Sequence, residues 1–233
     1  MYNLSQKLVS EFIGTFALIF FGAGSVCADQ YLRASGAGGI GLFGIAVANG
    51  LIYAILISAL AHVSGAHLNP AVTIGYWVTK RLSTLDTLAY WSAQIVAAIA
   101  AAYSLAAIIP ESVWRPASLG TPDLALDFTR MHGMALEAVL TFFLVFVFFA
   151  TAVDASGALH KVSGFAIGLI LTVGILAGGP FTGAAMNPAR AFGPAIAAHH
   201  WTNNGVYWVG PLFGGIVAAV IYDRIFLRDQ PPA

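Results

Sequence analysis

Two short stretches share one skeleton. Residues 64–75 read SGAHLNPAVTIG and residues 182–193 read TGAAMNPARAFG. Each holds Asn-Pro-Ala, at Asn69-Pro70-Ala71 and Asn187-Pro188-Ala189, and only the second adds a cation, Arg190. Asparagine is favoured just before a helix because its side-chain oxygen accepts a backbone N–H. Proline at the first helical position costs nothing, since its missing N–H would have no partner there. Each motif therefore predicts a helix start, and a helix start carries about +0.5 of an elementary charge. An asparagine that caps with its oxygen keeps its amide group as a donor. Two such ends brought together would repel cations and offer donors to an uncharged molecule with a lone pair. Residues 64–68 and 182–186 precede the helix starts, so their carbonyls must face something wet. Gly65, Ala66, His67, Gly183 and Ala185 are the residues expected to line a narrow path with carbonyls, and most are small enough for the backbone to do so.

The rest of the chain says what must hold these stretches. It is 59% hydrophobic and 9% charged, with a mean hydropathy of +0.83. Soluble domains carry about 25% charged residues, so this chain cannot coat a water-facing surface and reads as an integral membrane protein. Six apolar runs, at about 8–28, 40–62, 85–109, 131–153, 162–179 and 205–227, approach or exceed the roughly 20 residues that a spanning helix needs. The first reads as a permanent helix, not a cleaved signal, because its apolar core is long and Glu11 lies inside it. The runs are continuous and do not alternate, which excludes a strand barrel. The helices that start after Asn69 and Asn187 are too short to cross. Zero net charge implies no nucleic-acid partner. The lone Cys27 excludes an internal disulfide and a cysteine-based metal cluster. His62 and His67 flank the first motif without further ligands, so no metal is expected. No nucleophile–base pair or paired carboxylates converge, so neither an enzyme nor a cofactor is expected.

The chain also repeats itself, with copies at about 1–110 and 130–233 inside one domain, 1–233. Glu11-x-x-x-Thr15-Phe16 matches Glu137-x-x-x-Thr141-Phe142, Gly44 matches Gly164, the two motif stretches match, and Tyr90-Trp91 matches Tyr207-Trp208. The offsets drift one way, from 126 residues between the glutamates to 117 between the tyrosines, as shorter loops in the second copy would produce. Three spans per copy is an odd number, so the copies face opposite ways across the bilayer. Inverted repeats place their site near the midplane, at short or broken helices. Non-helical backbone at membrane depth survives only inside protein or along a watery cavity. Each motif loop is therefore expected to fold back as a half-helix, one from each side, with the two N-termini meeting at the centre. With the N-terminus inside, six Lys and Arg residues fall on the cytoplasmic side (Lys7, Lys80, Arg81, Lys161, Arg224, Arg228) and three outside (Arg33, Arg115, Arg130), which favours cytoplasmic termini.

With these motifs in place the chain resembles the aquaporins, the major intrinsic protein family. The likeness covers essentially the whole chain: Glu-x-x-x-Thr-Phe in the first and fourth spans, SGAHLNPAVT, Gln94, MNPAR, and WVGP in the sixth span. It implies an all-α membrane fold of six tilted helices plus two re-entrant half-helices, assembled as a homotetramer with one pore per subunit. It implies a passive channel for water that excludes protons and ions, with no cofactor. It places an aromatic/Arg constriction on Asn49, Ile175, Ala184 and Arg190, and has Glu11 and Glu137, with Gln94, brace the buried loops. Orthodox water channels have Phe and His at the first two constriction positions. Asn49 and Ile175 depart from that; the set is more similar to that of plant tonoplast intrinsic proteins, which resemble the stretch ILAGG from Ile175 to Gly179 but have His where this chain has Asn49. A wider opening follows, with ammonia, hydrogen peroxide, urea or glycerol as further candidates. Ala191 stands where glycerol facilitators have Asp, and Tyr207-Trp208 follows the water-channel pattern; both speak against glycerol. The competing expectation is an ion-coupled secondary transporter, which also uses inverted repeats. It would need an acidic residue or a cation site at the midplane, where this chain has two asparagines. The compact chain suggests a prokaryotic plasma membrane.

Overall fold

A computed structural model describes residues 2–157 and 162–227. Lys161 and Arg228, two of the cations used above to orient the chain, lie outside the described residues. Nine α-helices are found among these residues, and no strand: α1 Leu4–Ala34, α2 Gly41–Ser64, α3 Pro70–Val78, α4 Thr84–Ile108, α5 Glu111–Trp114, α6 Arg130–Phe148, α7 Ser163–Thr182, α8 Pro188–Ala197 and α9 Val206–Ile225. Six are long and apolar enough to span a bilayer: α1, α2, α4, α6 with the turn that follows it, α7 and α9. The short helices α3 and α8 start where the prolines predict.

Local chemistry sets the ends. Asn3 and Gln6 form a reciprocal capping box at α1, and Ser83 and Thr129 cap α4 and α6. The helices before each motif, α2 and α7, stop at left-handed glycines, Gly65 (φ 88°) and Gly183 (φ 77°). The chain then makes the same unusual turn twice. Ala66 and Leu68 have φ of 46° and 52°, and Ala184 and Met186 have 45° and 49°. Left-handed backbone costs a non-glycine residue about 1–2 kcal/mol, so these loops hold only because the surroundings impose them.

Two elements differ from the apolar runs read in the sequence. The fourth run does not stay α-helical: residues Phe149–Val153 form a π-helical turn in which the Asp154 N–H reaches the Phe149 carbonyl. The long polar connection between the two halves is also ordered, through α5 and a 3₁₀ turn at Ser118–Gly120 whose Leu119 is fully buried.

Packing within the halves is parallel in kind. α1 packs on α2 and α4, α6 packs on α7 and α9, and α2 packs on α7 across the halves. The half-helices are exchanged: α3 lies against α9, and α8 lies against α4. Gly75 and Gly193, each six residues past its motif asparagine, let these crossings close. A Cβ on Gly75 would lie 3.1 Å from the Ala219 Cβ, and one on Gly193 would collide with the Ala98 carbonyl. Large apolar side chains such as Phe21, Leu51, Ile55, Phe143 and Phe213 remain more than half exposed on the outside of the bundle. Such a surface suits hydrocarbon and not water.

Gly193→Val is expected to push α8 off α4, because the obstacle is backbone and cannot rotate away. Overpacking of this kind costs about 1–3 kcal/mol, and a lowered thermal midpoint in detergent would report it. Gly205→Ala, where a Cβ meets nothing within 4 Å, should leave the midpoint unchanged.

Candidate functional site

The two half-helix starts meet. Asn69 Oδ1 accepts the Ala71 N–H at 2.8 Å, and Asn187 Oδ1 accepts those of Ala189 and Arg190 at 3.0 and 3.3 Å. Each amide then donates across the junction, Asn69 Nδ2 to the Met186 carbonyl at 2.8 Å and Asn187 Nδ2 to the Leu68 carbonyl at 3.0 Å. This corrects one point of the sequence reading. The amides are not wholly free; one hydrogen of each locks the opposite loop. Pro70, Ala71, Pro188 and Ala189 are buried behind the asparagines, and the Pro70 carbonyl accepts from Trp91 Nε1.

Each loop hangs on a buried carboxylate from the first helix of its own half. Glu11 is fully buried; its Oε1 accepts from Ser64 Oγ at 2.7 Å and the His67 N–H at 2.9 Å, and its Oε2 accepts the Leu68 N–H at 2.8 Å. Glu137 is fully buried and does the same for Thr182 Oγ1 at 2.7 Å, Ala185 N–H at 3.0 Å and Met186 N–H at 2.8 Å. Tyr90 and Tyr207 close the motif from the far side, donating to the carbonyls of Ser64 and Thr182 at 2.9 and 2.8 Å. Gln94 does not bond loop backbone. Its Nε2 donates to Glu11 Oε2 and Thr73 Oγ1, and its buried Oε1 has no partner among the described residues.

A narrow central cavity of about 20 Å³, room for about one water, runs between the asparagines. Its wall includes Asn49, Ile175, Ala184 and Arg190, with Asn69, Asn187 and Ala185. A second cavity of about 210 Å³ opens on the α8 side, and Asn49, Ile175 and Arg190 line this one too, with Gly183. Of the four residues named from the sequence, Asn49, Ile175 and Arg190 line both spaces, and Ala184 lines the inner one. Asn49 brings less polarity than its type suggests, because its Nδ2 donates to the Ile45 carbonyl of its own helix at 2.8 Å and its Oδ1 packs against Gly22. Of the carbonyl-lining candidates in the first loop, Gly65 ends α2, Ala66 is buried, and His67 is 2% exposed with its carbonyl accepting from Tyr53 at 3.0 Å. The His67 ring lies 4.1 Å from that of Tyr76 between centroids, tilted at 39°, and its Nδ1 pairs with Thr73 Oγ1. His62 packs edge-on against Tyr2.

Arg190 Nη1 donates to the Gly120 carbonyl at 2.7 Å. That carbonyl comes from the connection between the halves, about 70 residues away, which no spacing rule could supply. Tyr53, Leu119 and Gly120 were likewise not singled out by the sequence. Asp123, beside Gly120, lines the wider cavity. Partial burial would raise its pKa, yet hydrogen bonds from Asn203, the Leu124 N–H and His200 outweigh that and hold it below the ordinary carboxylate value. No three metal-ligating side chains come together among the described residues.

Against this geometry, a family model described as "Major intrinsic protein" matches residues 1–222. The chain is 41% identical to Aquaporin TIP4-4 of Zea mays, with 96% of this chain and 88% of that protein aligned. It is 39% identical to a probable aquaporin, TIP3-2, of Arabidopsis thaliana, with 97% and 86% aligned. The X-ray structure of the aquaglyceroporin from Plasmodium falciparum shares the fold, with a TM-score of 0.82 at 24% identity over 96% of this chain and 97% of that one.

Glu137→Gln keeps the side-chain volume but aims an amide at backbone N–H groups that need an acceptor. Glutamine keeps one acceptor oxygen, so one of the two N–H groups, of Ala185 or Met186, is left facing an NH2; a hydrogen bond to a charged group contributes about 1.5–3 kcal/mol. Tyr207→Phe removes one neutral bond, worth about 1 kcal/mol. Thermal unfolding in detergent should rank wild type above Tyr207→Phe above Glu137→Gln.

Proposed function

The chain belongs to the major intrinsic protein family, and from that premise we propose a passive membrane channel that conducts water and small neutral solutes and excludes ions and protons. The observation that carries this is the crossed pair of asparagine bonds, Asn69 to Met186 and Asn187 to Leu68. It holds two helix N-termini head to head beside a cavity with room for about one water. Both termini present positive potential there, so a cation meets a barrier. Each amide keeps a second hydrogen for a passing oxygen or nitrogen lone pair, and a solute can exchange partners without a chemical step. The same positive potential opposes a proton carried on water, and Glu11 and Glu137, saturated by loop donors, are poorly placed to relay one.

In this reading Asn49, Ile175, Ala184 and Arg190 form the constriction, with Arg190 as fixed charge and donor. With Asn49 turned toward Ile45 and Gly22, and Ile175 beside it, this constriction lacks a bulky aromatic. Solutes larger than water then become candidates; ammonia, hydrogen peroxide and urea fit this better than glycerol, since Ala191 and Tyr207-Trp208 depart from the glycerol-facilitator pattern. The two halves are read as inverted copies, supported by the matching Glu11 and Glu137 networks. A homotetramer is proposed from family membership. Cytoplasmic termini are proposed from the loop cations. A prokaryotic plasma membrane has only the chain's compactness behind it, and the relatives named above are plant proteins.

Stopped-flow osmotic shrinkage of proteoliposomes should show water flux well above empty vesicles, with low activation energy and no response to membrane potential or a pH gradient. Flux that follows an imposed ion gradient would instead indicate a coupled transporter. Gly22→Ala should drive Asn49 into the passage and cut urea and ammonia uptake more than water flux; equal loss of all three would argue against a constriction at Asn49.

A further inference from the structure

The Gly120 carbonyl that receives Arg190 stands on backbone that would not hold itself. Ser118 and Leu119 have left-handed φ, of 46° and 52°, which L-residues adopt only when constrained, and Gly120 follows at 71°. On one side the constraint is apolar: Leu119 is fully buried in a cluster with Ala23, Cys27, Leu105 and Ala197. On the other side it is polar. Asp123 Oδ2 accepts from His200 Nε2 at 2.7 Å, and its Oδ1 accepts from Asn203 Nδ2 at 2.9 Å and the Leu124 N–H at 2.8 Å. Arg130 Nε donates to Asn203 Oδ1 at 3.0 Å and so turns the amide hydrogens of Asn203 toward Asp123.

The origin of these partners matters. His200 and Asn203 follow directly on α8, the helix that carries Arg190 in its first turn. A closed ring results: Arg190 to the Gly120 carbonyl, along the connection to Asp123, across to His200, and back through α8 to Arg190. Asp123 and Arg190 also line the same cavity of about 210 Å³, so any movement of the connection relative to α8 changes that space. We propose that Asp123 is a positioning residue for Arg190, fixing through the 118–124 segment where the guanidinium stands and hence which neutral solutes pass. This rests on the reading of Arg190 as part of the constriction. Asp123 touches no solute in this role. Its function is to deny the Gly120 carbonyl a second position.

The test is the urea-to-water permeability ratio of the full chain in proteoliposomes, for wild type, Asp123→Ala, Arg190→Ala, and the two combined. Asp123→Ala should raise the ratio about three- to tenfold, in the lower part of the range of coupling between members of one network. In the Arg190→Ala background it should add nothing, because the group it positions is gone. A variant with both His200→Ala and Asn203→Ala reaches the ring from the other side and should reproduce the Asp123→Ala ratio, which keeps the test open if one variant folds poorly. A ratio unchanged by Asp123→Ala while Arg190→Ala raises it overturns this proposal alone. Equal increments from Asp123→Ala with and without Arg190 also overturn it, since the effect would then bypass Arg190. A ratio unchanged by Arg190→Ala overturns the constriction reading, and this proposal with it.

Discussion

Backbone N–H groups that are not in a helix have no partner in hydrocarbon, and each one left unpaired costs several kcal/mol. The whole architecture answers that constraint. Residues 65–68 and 183–186 run through the middle of the bundle outside any helix, mostly with left-handed φ. Glu11 and Glu137 supply the missing acceptors from within the wall of the bundle. A buried carboxylate is itself expensive to desolvate, so the two problems cancel: the carboxylate needs donors and the loop needs an acceptor. Every other feature of the site, from the placing of Asn69 and Asn187 to the width of the passage, depends on loops held this way.

The two halves solve the constraint with one plan but not with one set of atoms. Ser64 and Thr182, Tyr90 and Tyr207, and the crossed asparagine bonds correspond one to one. Gln94, which bonds Glu11, falls opposite Pro211 in the second half and has no counterpart there. Arg190 exists only in the second half, in place of Val72. Symmetry thus governs the part that must exclude charge at the centre. The unmatched cation falls at one end of the passage, where a single guanidinium and its carbonyl from the 118–120 turn would discriminate among neutral solutes.

Exchange of the half-helices adds rigidity to this plan. Because α3 packs on α9 and α8 packs on α4, neither half can shift without dragging the other's loop. Small residues at the crossings bring backbone against backbone, where attraction comes from close packing when no water remains to be released. A cavity with room for about one water tolerates little motion, and these crossings are where that tolerance is enforced.

Much of this was legible in the sequence, for a definite reason. Hydropathy runs, Asn-Pro helix starts and the repeat of Glu-x-x-x-Thr-Phe are short-range signals, each complete within a few residues, and they located the spans, the half-helices and both braces. What the tertiary structure alone decided lies at long separations. The use of one amide hydrogen of Asn69 on Met186, the turning of Asn49 toward Gly22, the order in the 110–130 connection and the choice of Gly120 as partner for Arg190 join residues tens of positions apart or more. Backbone carbonyls are chemically identical along the chain, so no residue type marks Gly120 as an acceptor. Only the way the buried Leu119 and the tethered Asp123 bend that segment over α8 brings this carbonyl, and not a neighbour's, within reach of the guanidinium.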